Sequence, residues 1–220
     1  MNSFSNDVDI LKYEPILFGD LCFAGQILAS GNAAVISNSI LTAANANFIN
    51  AQIAAGMVVY LQNEDRTVDG AYEILSVNSA TQLALSVLRA DNQTNAIPVS
   101  DSESVNYRIC TYQAQSNEIL LQLAQRFGLR PGVADGAYSV DDILDASVLK
   151  QVSVYGVLSV VYATLAGKAD ENKDNFWKKN NHYRQLFEKA FGRCKVSIDL
   201  GDDKIADFGF NGSSARLMRD

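Results

Sequence analysis

Between residues 31 and 112 apolar positions fall in short runs separated by turn-forming residues, and beyond residue 112 they recur at three- and four-residue intervals. The first pattern predicts strands and the second helices. Residues 33–36 and 39–43 predict a first strand pair, and residues 57–61, 71–77 and 81–88 three more strands, with Asp69-Gly70 and Asn78-Ser79-Ala80 as turns. Leu83, Leu85 and Val87 alternate with Gln82, Ala84 and Ser86, which sets one apolar face against a core. Val105, Tyr107 and Ile109 alternate with Asn106, Arg108 and Cys110 in the same way. Short strands in succession with no long helix among them predict a small antiparallel barrel or sandwich, because closure or stacking hides strand edges. Phe48, Ile49, Ile53 and Ala54 sit at helical spacing and predict a short helix within residues 45–55. The polar residues 91–104 predict a long exposed loop.

Three helices follow. Ile119, Leu120, Leu123, Ala124 and Phe127 share one face of residues 118–127, and Gly128 with Pro131 ends that helix. Ser139-Val140-Asp141-Asp142 resembles a capping box and predicts a second helix running to Leu165. Its apolar residues spread around the circumference after Val152, as in a central helix, and residues 152–165 are too short and mixed to span a bilayer. Residues 169–193 predict a third helix with a stripe of Phe176, Trp177, Tyr183, Leu186, Phe187, Ala190 and Phe191. Residues 196–198 and 205–208 then predict a hairpin around Leu200-Gly201-Asp202-Asp203. Before the strands, residues 7–15 predict a helical turn stopped at Pro15. The fold class is α+β: a barrel or sandwich at 31–112, a helical bundle with a C-terminal hairpin at 113–210, and an extended tail at 211–220. Residues 1–30 are expected to pack on the helical part.

The 48% of hydrophobic residues is what a folded globular protein needs, and disorder of the whole chain is not expected. The N-terminus lacks the basic flank and apolar stretch of a signal peptide, which predicts a cytosolic life with reduced thiols at Cys22, Cys110 and Cys194. The net charge of -7 argues against nucleic-acid binding by the whole surface, but the acidity is uneven. Up to Gly128 there are 5 Lys or Arg against 12 Asp or Glu, and beyond it 13 against 13. The most basic segment lies between Lys168 and Lys195, and Lys178, Lys179 and Arg184 on it are the candidates for facing DNA; a solvated helix face is the plainer reading.

Candidate chemistry is sparse. His182 is the single histidine, and its neighbours Asn180, Asn181 and Tyr183 do not suit a general base. Cys and His spacing fits no zinc site, and no Gly-rich phosphate loop occurs. Asp199, Asp202, Asp203 and Asp207 resemble a turn that binds calcium through oxygen ligands, without the ligand order or closing Glu of an EF-hand. A solvated turn is the simpler account, and helix capping accounts for Asp141, Asp142 and Asp145. The expectation is a protein with no catalytic residue, cofactor or metal.

Residues 107–115 (YRICTYQAQ), 181–191 (NHYRQLFEKAF), 198–207 (IDLGDDKIAD) and the ending 215–220 (ARLMRD) resemble, in that order, head-to-tail connector or adaptor proteins of tailed bacteriophages. The resemblance covers roughly the C-terminal half. It implies a structural virion protein: a ring, dodecameric in such proteins, between portal and tail that completes the head and lines the DNA channel. Expected partners are the portal protein, tail or head-completion proteins, further copies of the chain and the genomic DNA, with no membrane. Expected locations are the virion neck and, during assembly, the host cytoplasm. Arg216, Leu217, Met218 and Arg219 match the portal-binding arm. The β module departs from a minimal helical adaptor. Two alternatives stand beside this reading: a tail or host-surface ligand-binding β module, motivated by residues 91–104, and a divalent-metal-dependent enzyme using the acidic turn.

Overall fold

The computed structural model describes residues 3–129, 140–168, 173–199 and 203–212. They divide into two units: Asn6–Tyr112, and residues 3–5 with those from Gln113 onward. The expected N-terminal segment 1–30 is thus split, with only its described residues 3–5 in the helical unit.

In the first unit, α1 (Asp7–Leu11) starts at an N-capping Asn6 whose side chain accepts from the Asp9 N–H while Asp9 accepts from Asn6. Pro15 begins a short 3₁₀ turn, Pro15–Leu17. Six strands then close a barrel: β1 (Ile27–Ser37), β2 (Ile40–Thr42), β3 (Val58–Gln62), β4 (Asp69–Ser79), β5 (Gln82–Ser86) and β6 (Ser102–Cys110). Every pairing is antiparallel, in the order β1-β2-β5-β4-β3-β6, and β1 pairs with β6 to seal it. The closed barrel decides between the two expected architectures.

Closure needs long, bent strands. β1 pairs with β2 at one end and β6 along its length, with register shifts near Gly31 and Ala34 and a positive φ of 57° at Ala33. Gly31 also sits where a Cβ would lie 2.7 Å from the Tyr107 ring. Ile36, Leu41, Val59, Leu61, Ile74, Leu83, Leu85, Val105 and Ile109 fill the interior. Val87, expected to join them, is 38% exposed because β5 ends at Ser86 and residue 87 bridges to Ile97 instead.

The expected helix at 45–55 is a run of turns. Phe48 and Ile53 are buried as the spacing requires, but Asn47 takes the Asn50 N–H on its side chain and Gln52 adopts φ 56°, so the backbone cannot continue as a helix. Asp69-Gly70 is not a turn but the start of β4; the reversal lies before it, where Asn63 accepts the Val68 N–H.

In the second unit, α2 (Gln113–Arg126) ends near Gly128, whose φ is 72°. The expected helix from Ser139 starts only at Lys150, as α3 (Lys150–Lys168). Ahead of it lie two 3₁₀ turns, Val140–Asp142 and Ala146–Leu149, and Ile143 between them bridges to Ile198. Ser139 itself falls outside the described residues. Counted from Ala146 to Lys168, this helical stretch is long and apolar enough to cross a membrane, which corrects the expectation drawn from residues 152–165. Ten of the α3 residues are buried within the unit, as in a core helix.

α4 (Lys173–Arg193) runs antiparallel to α3, with Asn180 donating to the Ser159 carbonyl and Tyr183 stacked on Tyr162. Gly156 lets α2 and α4 close on α3: a Cβ there would lie 3.0 Å from Ile119 and 3.1 Å from Phe187. Tyr183, Phe187 and Phe191 are buried, whereas Trp177, assigned to the same stripe, is 47% exposed. The hairpin pairs β7 (Lys195–Ile198) with β8 (Phe208–Asn211). Ile205 lies outside it and is exposed, so the second strand begins later than expected.

Candidate functional site

Among the described residues, the exposed side of α4 gathers the most cationic side chains. Positions repeating every three or four residues share one helix face, and here Lys178, His182, Gln185, Lys189 and Arg193 form such a row, all exposed. From Lys178 to Arg193 the row spans about 22 Å at 1.5 Å per residue. It contains no carboxylate, although Asp174 stands one turn ahead of it.

The three residues predicted to face DNA separate on this helix. Lys178 lies in the row. Lys179 packs onto α3, with Nζ 3.0 Å from the Tyr162 hydroxyl and 4.8 Å from that ring's centre. Arg184 is exposed on another side, near Glu188. Glu188 accepts two bonds of 3.0 Å from the Arg126 guanidinium of α2, which also covers the Phe187 and Phe191 rings. Arg126 foremost holds the Glu188 carboxyl below its ordinary range, with Arg184 adding to it. Lys189 and Arg193 belong in the row, and their spacing from Lys178 was the signal that would have found them.

At the end of this row lies a groove of about 540 Å³ where Val148, Tyr155 and Leu186 meet Lys189, Arg193 and Lys195. The barrel unit carries a groove of opposite charge, about 520 Å³, with Glu64, Asp65, Asp101 and Glu103 in its lining. Another barrel groove is mixed in character, with Ile27 and Tyr107 beside Asn32, Gln62, Asn106 and one charged residue, Arg108. The Tyr60 hydroxyl donates to Asp69, and that bond, with burial, pushes it up to about 12.

The other candidates are placed as follows. His182 is exposed, edge-on to Tyr183. Asp199 is buried, not solvated; its carboxylate takes the Lys204 N–H at 2.7 Å, and Asp203 takes that of Ile205 at 2.9 Å. These bonds brace the hairpin turn, and among the described residues no group of three or more His, Cys, Asp or Glu is placed to hold a metal. Asp145 caps a 3₁₀ turn rather than the helix. Asp202 and Arg216, Leu217, Met218 and Arg219 lie outside the described residues. Residues 91–104 are tethered to the barrel: Arg89 binds Glu73 through two bonds of 3.0 and 2.7 Å and the Thr94 carbonyl at 2.9 Å, and Asp91 caps Gln93 and Thr94.

Two features were not legible in the sequence. Asp7 is buried, accepts the Tyr112 N–H at 2.8 Å, and is pushed up to about 6 by burial, against the pull of bonds from Tyr112 and Thr111. Cys22 and Cys110, far apart in sequence, act on one another's titration: Cys110 foremost holds the Cys22 thiol below its ordinary value, and Cys22 with burial pushes the Cys110 thiol up.

Barrel and helical unit together make this an α+β protein with a closed six-stranded antiparallel barrel and an exposed cationic helix face. No family model matches the sequence, and neither a curated protein nor a solved structure matches it.

Proposed function

We propose that the chain is a structural subunit of a tailed-bacteriophage head-to-tail connector, which assembles into a ring between portal and tail and lines the channel for genomic DNA. The observation that carries this reading is the exposed row Lys178, His182, Gln185, Lys189, Arg193, because the passage 181–191 that resembles the connectors runs along this helix. Three cations, Lys178, Lys189 and Arg193, along about 22 Å of helix on a chain of net charge -7 suit contact with passing phosphates without tight capture of the duplex. The oppositely charged grooves of the two units supply surfaces by which copies attract one another head to tail. Asn211, expected to open the tail, is instead the last residue of β8, so the arm for the portal falls to residues 213–220.

Assembly with the purified portal tests this. Electron microscopy is expected to show a ring on the portal, and removal of residues 213–220, which spares β8, to abolish docking while the fold persists by circular dichroism. Full docking by the truncated chain would remove the arm, and no ring under any condition would remove the connector role.

The barrel groove with Gln62, Asn106 and Arg108 in its lining favours a second reading, a barrel that binds a polar ligand on a tail or host surface. Substitution of Asn106 and Gln62 separates the two: it abolishes attachment under the second reading and leaves ring assembly untouched under the first.

A further inference from the structure

The described residues between β7 and β8 brace one another. The buried Asp199 carboxylate takes the Lys204 N–H at 2.7 Å, Asp203 takes the Ile205 N–H at 2.9 Å, and the Asp207 N–H donates to the Ile198 carbonyl at 2.9 Å. On this braced turn Ile205 is 67% exposed, the most of any large apolar side chain among the described residues. A backbone fixed on both sides of an exposed isoleucine presents it to a partner at little further ordering cost. Residues 199–207 also carry Asp199, Asp202, Asp203 and Asp207 against Lys204 alone. The loop is thus acidic with one apolar tip.

The groove of about 540 Å³ in the same unit has the opposite make-up. Val148, Tyr155 and Leu186 give it apolar walls, Lys189, Arg193 and Lys195 are its charged residues, and no carboxylate is among the described residues that line it. Ile205 is not among them either, so the loop leaves the groove of its own chain open. The tail does not match the groove in charge. Gly212 donates its N–H to the carbonyl of Cys194, a lining residue, at 3.0 Å, but the residues that follow bring Arg216 and Arg219 against Asp220. The acidic groove of the barrel, with Glu64, Asp65, Asp101 and Glu103, offers charge and no apolar side chain in its lining. Only the Ile205 loop supplies both.

We propose that the Ile205 loop of one copy docks in the groove between α3 and the end of α4 of a second copy; this rests on the ring reading and supplies the contact that repeats around it. Ile205 enters between Val148, Tyr155 and Leu186, and the aspartates of the loop face Lys189, Arg193 and Lys195. Loop and groove are different surfaces, so the contact is heterologous. Each copy keeps a free loop on one side and a free groove on the other, and further copies add in the same way. Lys189 and Arg193 belong to both the cationic row and the groove, whereas Lys195 belongs to the groove alone. The contact can therefore be broken without touching the row. One short loop in one groove buries well under about 1,000 Å², so a single contact is weak and association depends on concentration.

Sedimentation velocity of the full chain at rising concentration, in low and high salt, tests this. The wild type is expected to grow beyond a dimer as concentration rises and to dissociate as salt screens the charges. Ile205→Ser is expected to weaken association about tenfold or more, and Val148→Asp with Lys195→Glu to do the same. All three positions are exposed, so circular dichroism is expected to stay unchanged. Mixed in equal amounts, the two variants are expected to form a dimer that grows no further, because one working loop and one working groove remain between them. A wild type that stays monomeric or stops at a dimer overturns the proposal, as does association that both variants leave unchanged. So does association lost on Glu64→Lys with Asp65→Lys, or on removal of residues 213–220, while Ile205→Ser has no effect; the groove would then belong to the barrel of the second copy or to the tail. A ring on the portal that Ile205→Ser leaves intact removes this contact and spares the connector reading. Loop-to-groove association in solution without any ring on the portal removes that reading and spares the contact.

Discussion

Asp7 carries the plainest link between one side chain and the behaviour of the barrel unit. A carboxyl whose folded value is about 6, against 3.8 when exposed, binds its proton more tightly in the folded state. The stability it contributes is therefore fully present below the unfolded value and is lost as pH rises through the folded one. The shift corresponds to about 3 kcal/mol at 1.36 kcal/mol per unit. Asp7→Asn keeps an oxygen for the Tyr112 N–H and cannot ionise. Urea melts across pH 4 to 7 are expected to show a fall in wild-type stability that the variant largely lacks, with the variant the more stable of the two at neutral pH. An equal slope in both proteins would assign the titration to another group. Nothing in the run Asn6-Asp7-Val8-Asp9 announces this burial, because local sequence marks acidic residues at a helix start as capping groups, and Asp9 does act so. The backbone N–H that Asp7 accepts from in its buried position is 105 residues away.

At the scale of elements, the helical unit turns on one small residue. α3 contains Gly156 and Gly167, both unfavourable in a helix by about 1 kcal/mol relative to alanine, yet their surroundings differ. A Cβ at 156 would press on Ile119 and Phe187, whereas one at 167 meets nothing within 4 Å. Gly156→Ala is expected to lower stability by about 1–3 kcal/mol through overpacking, and Gly167→Ala to leave it unchanged or raise it slightly. Thermal melts of the two variants compare the effects directly; equal outcomes would show that the α2–α3–α4 contact is loose. The same scale explains which elements were readable. The strand-by-strand alternation at 81–88 and 105–110 located β5 and β6 because the barrel interior demands period two. The helix at 45–55 was misread because Phe48 and Ile53 cap the barrel from turns, where apolar spacing carries no backbone information. The early start given to α3 had a similar cause: Asp141 and Asp142, read as the first turn of that helix, belong to a 3₁₀ turn, and acidic first-turn residues do not distinguish one helix type from another. On α4 the basic residues were visible as a composition, but which of them share a face depends on the rotation set by Tyr183, Phe187 and Phe191 against the core. That rotation sent Lys179 to Tyr162 and left Lys178, Lys189 and Arg193 outward.

For the whole molecule, the division at Tyr112 makes different demands on the two parts. The barrel unit is one continuous stretch, Asn6–Tyr112, and every ladder that closes its sheet lies inside it. Its N-terminal turns are fastened within the same stretch: the Tyr112 hydroxyl donates to the Leu17 carbonyl at 2.9 Å, and Phe18 packs edge-on to the Tyr112 ring. The helical unit, by contrast, recruits residues from the start of the chain. Ser5 meets Ser153 at 2.8 Å through their hydroxyls, and Gln113 donates to Ser3 at 3.1 Å. Residues 6–112 expressed alone are therefore expected to fold with a single cooperative transition and the dispersed amide spectrum of a barrel. A chain starting at Gln113 lacks the Ser5 hydroxyl that meets the buried Ser153. It is expected to lose about 1 kcal/mol or more for the bond forgone, and to regain it when a peptide of residues 1–5 is fused ahead of it. Failure of 6–112 to fold cooperatively would mean that the closed sheet depends on the helices for its core. The same pair of fragments, each mixed with duplex DNA at rising salt, assigns the cationic row: binding is expected only with the fragment bearing α4. Its salt slope should drop by about 0.9 for each of Lys178, Lys189 and Arg193 removed. Equal binding by the acidic barrel fragment would leave the row on α4 without its proposed role.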